Sequence, residues 1–199
     1  MSALTELFEQ IRSCHKCDIA RNRTLAVPGE GPDNAEIMFI GEAPGFNEDL
    51  QGRPFVGQAG QFLNELIASI GLQRGDVYIT NIVKSRPPGN RDPLPQEIQN
   101  CGAWLDMQLE IIRPRMVVTL GRYSMARFFP GKSISQIHGT SVAKDGVLYF
   151  AMYHPAAALH QQSLRQTLKQ DMLKIPVLLA KAKAPPPVQP AQTKQLYLF

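Results

Sequence analysis

The stretch from Gly41 to Gly60, GEAPGFNEDLQGRPFVGQAG, limits the folds open to this chain. The apolar run Ile37-Met38-Phe39-Ile40 leads into it, and an amphipathic helix pattern over 56–70 follows. The pattern predicts a strand-to-helix loop, the place where open α/β sheets hold their ligands. The loop is long, glycine-punctuated and acidic, with Glu42, Glu48 and Asp49, and it carries an aromatic at Phe55. Ordering such a loop is costly unless it builds something, so it is expected to form one wall of an active site.

Around it the pattern alternates. A helix is predicted over 2–12, with Leu4, Leu7, Phe8 and Ile11 on one face, then a first strand over 36–41. A second strand over 77–83 ends near Asn81 and runs into Lys84-Ser85-Arg86-Pro87-Pro88-Gly89-Asn90-Arg91, whose prolines forbid helix. Pro95 opens a helix to about 112. A third strand over 116–120, a short helix over 121–129 and a fourth strand over 147–152 come next. The fourth strand delivers Tyr153-His154-Pro155-Ala156-Ala157, and a last helix over 162–181 closes the domain. Alternation of this kind predicts an α/β fold with a mainly parallel sheet and helices on both faces. Glu42, Asn81 and His154 then follow three strands at one sheet edge, converging on one crevice.

The chain has 199 residues, enough for one well-cored domain of 1–182 and a tail. Its net charge of +4 leans only mildly towards polyanions. No apolar stretch reaches the roughly 20 residues of a membrane span, and the N-terminus lacks a basic leader. A cytoplasmic location and a monomer are the expectations. Three cysteines in that compartment are unlike a disulfide framework, and Cys14 and Cys17 have the C-x2-C spacing of a metal or cluster site. The composition changes from 183 on: 183–194 reads as a proline-rich linker, and 195–199 ends it with an apolar cluster suited to docking in a partner's pocket.

GEAPG with its Glu48-Asp49, then GRPFVGQAG, NIVK-x-RPP-x-NR and HPAA stand in the order and spacing of the family 4 uracil-DNA glycosylases, which the chain resembles from about Leu7 to Leu179. The resemblance implies a three-layer αβα sandwich around a four-stranded parallel sheet, uracil-containing DNA as substrate, and a [4Fe-4S] cluster on four cysteines. By position it makes Glu42 the catalytic-region acid. Ala43 stands where family 1 enzymes have a water-activating Asp. Phe55 is similar to the aromatic that stacks on extruded uracil, Asn81 to the amide that pairs with its edge, and His154 to the histidine beside uracil O2. Glu48 is a second choice for orienting water. Leu159 is the candidate wedge, one residue beyond the family's register at Ala158. Lys84, Arg86 and Arg91 are candidate phosphate contacts. The short RPPGNRDP loop, without the basic insertion of the DNA-crosslinking branch, implies turnover.

The chemistry is consistent with that likeness. Breaking an N-glycosidic bond needs a donor to the departing uracil anion and a carboxylate near the oxocarbenium-like sugar. An amide can donate to O4 and accept from N3–H, a pattern that cytosine reverses. Each residue also has a plainer reading: Glu42 as a helix cap, Phe55 as core, Asn81 as a strand-end partner, His154 as a loop residue. Their joint occurrence favours the site.

The family's cluster ligands fall at 14, 17, 85 and 101, and here they read Cys14, Cys17, Ser85 and Cys101. A serine oxygen is a harder, poorly ionised ligand than thiolate. The open outcomes are a [4Fe-4S] cluster with an oxygen or solvent ligand, a [3Fe-4S] cluster, or none. The expectation is a cluster more labile to oxygen. The tail Gln195-Leu196-Tyr197-Leu198-Phe199 resembles the peptide by which bacterial repair proteins bind the replication sliding clamp, with Gln195, Leu196, Leu198 and Phe199 as anchors. The competing reading is a non-catalytic or cluster-impaired iron–sulfur protein that binds DNA and is recruited to the clamp.

Overall fold

A computed structural model describes residues 2–182. The linker and the candidate clamp-binding peptide lie outside the described residues. Five strands, β1 (Ile37–Gly41), β2 (Tyr78–Asn81), β3 (Met116–Leu120), β4 (Ser141–Lys144) and β5 (Val147–Met152), form one sheet in the order β2-β1-β3-β5-β4. The pairs β1–β2, β1–β3 and β3–β5 are parallel, as expected. The sequence reading stopped at these four strands. The fifth, β4, pairs antiparallel with β5 at the edge. Its signal is the Asp145-Gly146 step, both residues at positive φ (51° and 80°), which is the chemistry of a tight hairpin turn.

Ten α-helices surround the sheet among the described residues: α1 (Ala3–Arg12), α2 (Asp18–Asn22), α3 (Phe46–Gln51), α4 (Gln58–Ser69), α5 (Pro95–Ile112), α6 (Arg122–Phe128), α7 (Ile134–Ile137), α8 (Ala157–His160), α9 (Ser163–Met172) and α10 (Ile175–Lys181). Strand residues alternate between two cores, as a pleat requires. Ile37, Phe39, Ile79 and Val118 pack on one face with Phe62 and Leu66 of α4, Leu168 and Met172 of α9, and Ile175 of α10. Met38, Ile40, Tyr78 and Val117 pack on the other with Leu7 and Ile11 of α1 and Trp104 and Leu105 of α5. The result is the αβα sandwich. The expected last helix is two, because Pro176 sits in the first turn of α10 and has no N–H to continue α9. The loop after β1 is more structured than its glycines suggested, since it contains α3.

The sheet's chain order reverses at β1, which has β2 on one side and β3 on the other. The crevice beyond the carboxyl ends of such strands is the usual ligand position in open α/β sheets.

Candidate active site

A cavity of about 220 Å³ opens at that crevice, lined by Ala43, Gly45, Glu48, Phe55, Ala59, Asn81, Asn90, His154 and Ala156. It is smaller than pockets for drug-sized ligands and suits a single flat ring. Larger cavities lie elsewhere, among them two of about 450 and 400 Å³. The first is lined by Arg12, Arg21, Arg23 and Arg53, all engaged with carboxylates or carbonyls, and the second is largely apolar. Neither brings together an amide, an aromatic, a histidine and a carboxylate as the crevice does.

Missing side chains make room for the cavity wall. A Cβ on Gly41 would run into both Asn81 Oδ1 and the Phe55 ring, and one on Gly60 would run into the Phe55 carbonyl. Phe55 itself takes a left-handed conformation, φ 51°, which an aromatic residue adopts only when its surroundings hold it there. Arg74 supplies that hold, donating to the carbonyls of Pro54 (2.5 Å) and Phe55 (3.3 Å) while pairing with Glu30. Sequence reasoning missed Arg74, which carries no local motif. The Phe55 ring stacks on the His154 imidazole, with centroids 5.4 Å apart and planes at 25°.

His154 is half-buried at the cavity, and the backbone N–H of Ala156 donates to its Nδ1 at 3.1 Å. That bond leaves the ring proton of the neutral form on Nε2. Burial pushes the His154 pKa down to about 4, against a smaller upward pull from Glu48. At neutral pH the side chain is therefore an uncharged donor with a fixed tautomer. Asn81 ends β2 at 1% exposure, and its Oδ1 has no hydrogen-bond partner among the described residues. A buried amide oxygen left unpaired costs roughly 1–3 kcal/mol. Facing this cavity, it asks for a ligand N–H.

Glu48 is committed to backbone groups. Its Oε1 accepts from Val56 and Gly57 N–H (2.8 and 3.0 Å), and its Oε2 accepts from Gly45 N–H (3.1 Å). It joins the start of α3 to the start of α4 and so holds the loop closed. Glu42 lies half-buried beside the cavity rather than in its lining, near Asp92 and Arg122. Burial, aided by Asp92 and opposed by Arg122, raises its pKa to about 7. Ala43 lines the wall, as the likeness implied. Gly45, Ala59, Asn90 and Ala156 were not anticipated as lining. Asn90 was readable only as part of the loop that follows β2.

That loop requires one correction. Lys84 is not a phosphate contact: it is 1% exposed, and its Nζ donates to Thr80 Oγ1 (2.7 Å), the Asn81 carbonyl (2.6 Å) and Gln108 Oε1 (2.7 Å). Its charge suggested a surface position, but it lies between sheet and α5 and satisfies buried acceptors next to Asn81. Arg91 is paired bidentately with Glu97 (2.9 and 2.6 Å). Arg86 has no carboxylate partner among the described residues; its Nε donates to Asn90 Oδ1 (2.6 Å) and its guanidinium lies 5.0 Å over the Phe46 ring. On α8, Leu159 is 41% exposed whereas Ala158 is buried.

On the far face, Cys14, Cys17, Ser85 and Cys101 ring one closed space of about 10 Å³. Both other thiols bear on Cys101, whose pKa is raised chiefly by burial. No three His, Cys, Asp or Glu among the described residues are arranged round a single ion. Three thiolate-forming residues are soft donors of the kind an iron–sulfur cluster takes, but a space of about 10 Å³ holds no cluster in this arrangement. The fourth corner differs: Ser85 Oγ already accepts from Arg23 (3.0 Å), whose guanidinium also holds the carbonyls of Arg12 (2.5 Å) and Cys14 (2.9 Å).

Comparison with known proteins agrees with this geometry. The family model described as the uracil DNA glycosylase superfamily matches residues 28–175. The chain is 47% identical over 190 residues to a type-4 uracil-DNA glycosylase of Archaeoglobus fulgidus, covering 91% of this chain and 96% of that one. It is 48% identical to the type-4 enzyme of Sulfurisphaera tokodaii, covering 88% and 84% of the two chains. It is 42% identical to that of Thermotoga maritima, covering 83% and 89%.

Proposed function

This chain belongs to the uracil DNA glycosylase superfamily, and we propose that it extrudes uracil from DNA and hydrolyses its N-glycosidic bond to begin base excision repair. The observation that carries the reading is the unpartnered Asn81 Oδ1, buried beside a neutral His154 and a stacked Phe55 in one ring-sized cavity.

Uracil offers N3–H to that oxygen and O4 to the amide N–H groups; cytosine offers an acceptor and a donor in those places and leaves two buried groups mismatched. Phe55 supplies the platform that replaces the lost base stack. As the glycosidic bond breaks, its electron pair moves onto the base and negative charge gathers at O2. His154 Nε2–H is the preorganised donor for that charge, a contribution typically of a few kcal/mol. The water adds to the sugar's C1′ and loses its proton. Glu42 in its ionised form, half-buried and with no backbone partner for its carboxylate among the described residues, is the candidate to receive it. Arg86 is the candidate phosphate contact, and Leu159 the candidate wedge.

Cys14, Cys17 and Cys101 would hold an iron–sulfur cluster, with the Ser85 corner weakened by its bond to Arg23. When bound, such a cluster would tie the N-terminal segment to the loop after β2. The Gln195–Phe199 peptide would recruit the protein to the sliding clamp.

Anaerobically purified protein, incubated with single-stranded oligonucleotides bearing one dU, dT or dC, is expected to release base from dU alone. The same preparation is expected to contain iron and sulfide. A dU oligonucleotide that stays bound but intact would favour the non-catalytic reading, and neither release nor binding would overturn both.

A further inference from the structure

Phe46 is the first residue of α3, 53% exposed, directly after the cavity-lining Gly45. It contributes to none of the buried cores. Arg86 lies over its ring, and Arg86 in turn is held by Asn90, which lines the cavity. An aromatic face and a cation without a carboxylate partner are thus fixed together at the mouth of the uracil site. One turn on, Leu50 is 49% exposed, and Leu25 beside Gly52 is 45% exposed.

We propose that Phe46 and Arg86 form a subsite for the nucleotide adjoining the extruded uridine, its base stacking on Phe46 and its phosphate facing Arg86. The proposal rests on the uracil-excision reading and deepens it. The occupant follows from continuity and charge. A uridine drawn into the cavity brings its neighbours to the rim, and a neighbour arrives with an anionic phosphate and an unstacked apolar face. Bases stack on aromatics with little sequence preference, because every base has a π-face. The guanidinium over the ring, held by Asn90, adds attraction to the phosphate and fixes the ring.

The test compares the full-length wild type, Phe46→Ala and Phe46→Trp on three single-stranded dU oligonucleotides. One is intact, one has an abasic spacer 5′ to the dU, and one has the spacer 3′ to it. Both kcat/KM for uracil release and equilibrium binding are measured. Phe46→Ala is expected to lose roughly 5- to 150-fold on the intact strand, mostly in KM and in binding. Phe46→Trp should retain most of both. On one of the two spacer strands, wild type and Phe46→Ala should converge, which also names the side that stacks. Equal values for all proteins, or the same Phe46→Ala loss on all three strands, would overturn the proposal. Absence of release by wild type would count against the excision reading alone, since the binding arm still decides the subsite. Thermal melts of the two variants, expected within a few degrees of wild type at so exposed a position, separate misfolding from lost stacking.

Discussion

Glu42 and His154 show how burial assigns two titratable groups opposite states. The carboxyl is lifted to about 7 and the imidazole is lowered to about 4, each because the charged form loses water. Near pH 7 the histidine is therefore neutral throughout, while the acid is midway through its titration. An acid that must be ionised to receive the water's proton makes kcat/KM rise with pH through about 7 and level off above it. Glu42→Gln is expected to flatten that limb and lower the plateau by the 10²–10⁴ usual for a general base. A limb that persists in Glu42→Gln would assign it to another group. Asn81 and His154 were legible as crevice residues because they end or follow strands, and Phe55 because it stands in a motif shared with the family; all three line one cavity. Lys84 was misread because side-chain charge says nothing of which way a residue points once the strand ends. Its burial is set by Gln108 and Thr80, which come from other elements.

Among the elements, the β1–α4 connection decides the site. Glu48 gathers three backbone amides, Arg74 grips two carbonyls, and Gly60 lets the Phe55 carbonyl sit against α4. Gly60 makes a sharp test because two effects have opposite sign. Helix propensity alone favours Gly60→Ala by about 1 kcal/mol. Collision of the new Cβ with the Phe55 carbonyl instead costs about 1–3 kcal/mol, as overpacking does. The collision is expected to win in urea unfolding, with uracil release falling further than stability because Phe55 must move. Stabilisation would mean that the loop yields freely. The parallel strands were readable from their apolar runs and the helices from their periodicity. The edge strand escaped because its burial pattern is mostly exposed, so alternation was faint and only the Asp145-Gly146 turn marked it. The α9–α10 break was written in Pro176, but periodicity continues across it and hid the stop.

At the scale of the whole molecule, the crevice and the proposed clamp-binding peptide at 195–199 occupy different parts of the chain. The residues that line the crevice lie between 43 and 156 in the chain. Removal of 195–199 is therefore expected to abolish binding to a bacterial sliding clamp in a surface-immobilised assay while leaving uracil release from a short oligonucleotide unchanged. Clamp binding that survives the deletion would refute the assignment. The N-terminal segment is fastened to the sheet by two means of different chemistry. Thiols gather on one side, and on the other Arg23 grasps Ser85 and the carbonyls that end α1. Oxidants attack sulfur and leave a guanidinium alone. Under peroxide a cluster on those thiols would be lost first. The apolar packing of α1 and the Arg23 contacts, neither of which peroxide attacks, would keep the N-terminal segment in place and its core-facing side covered.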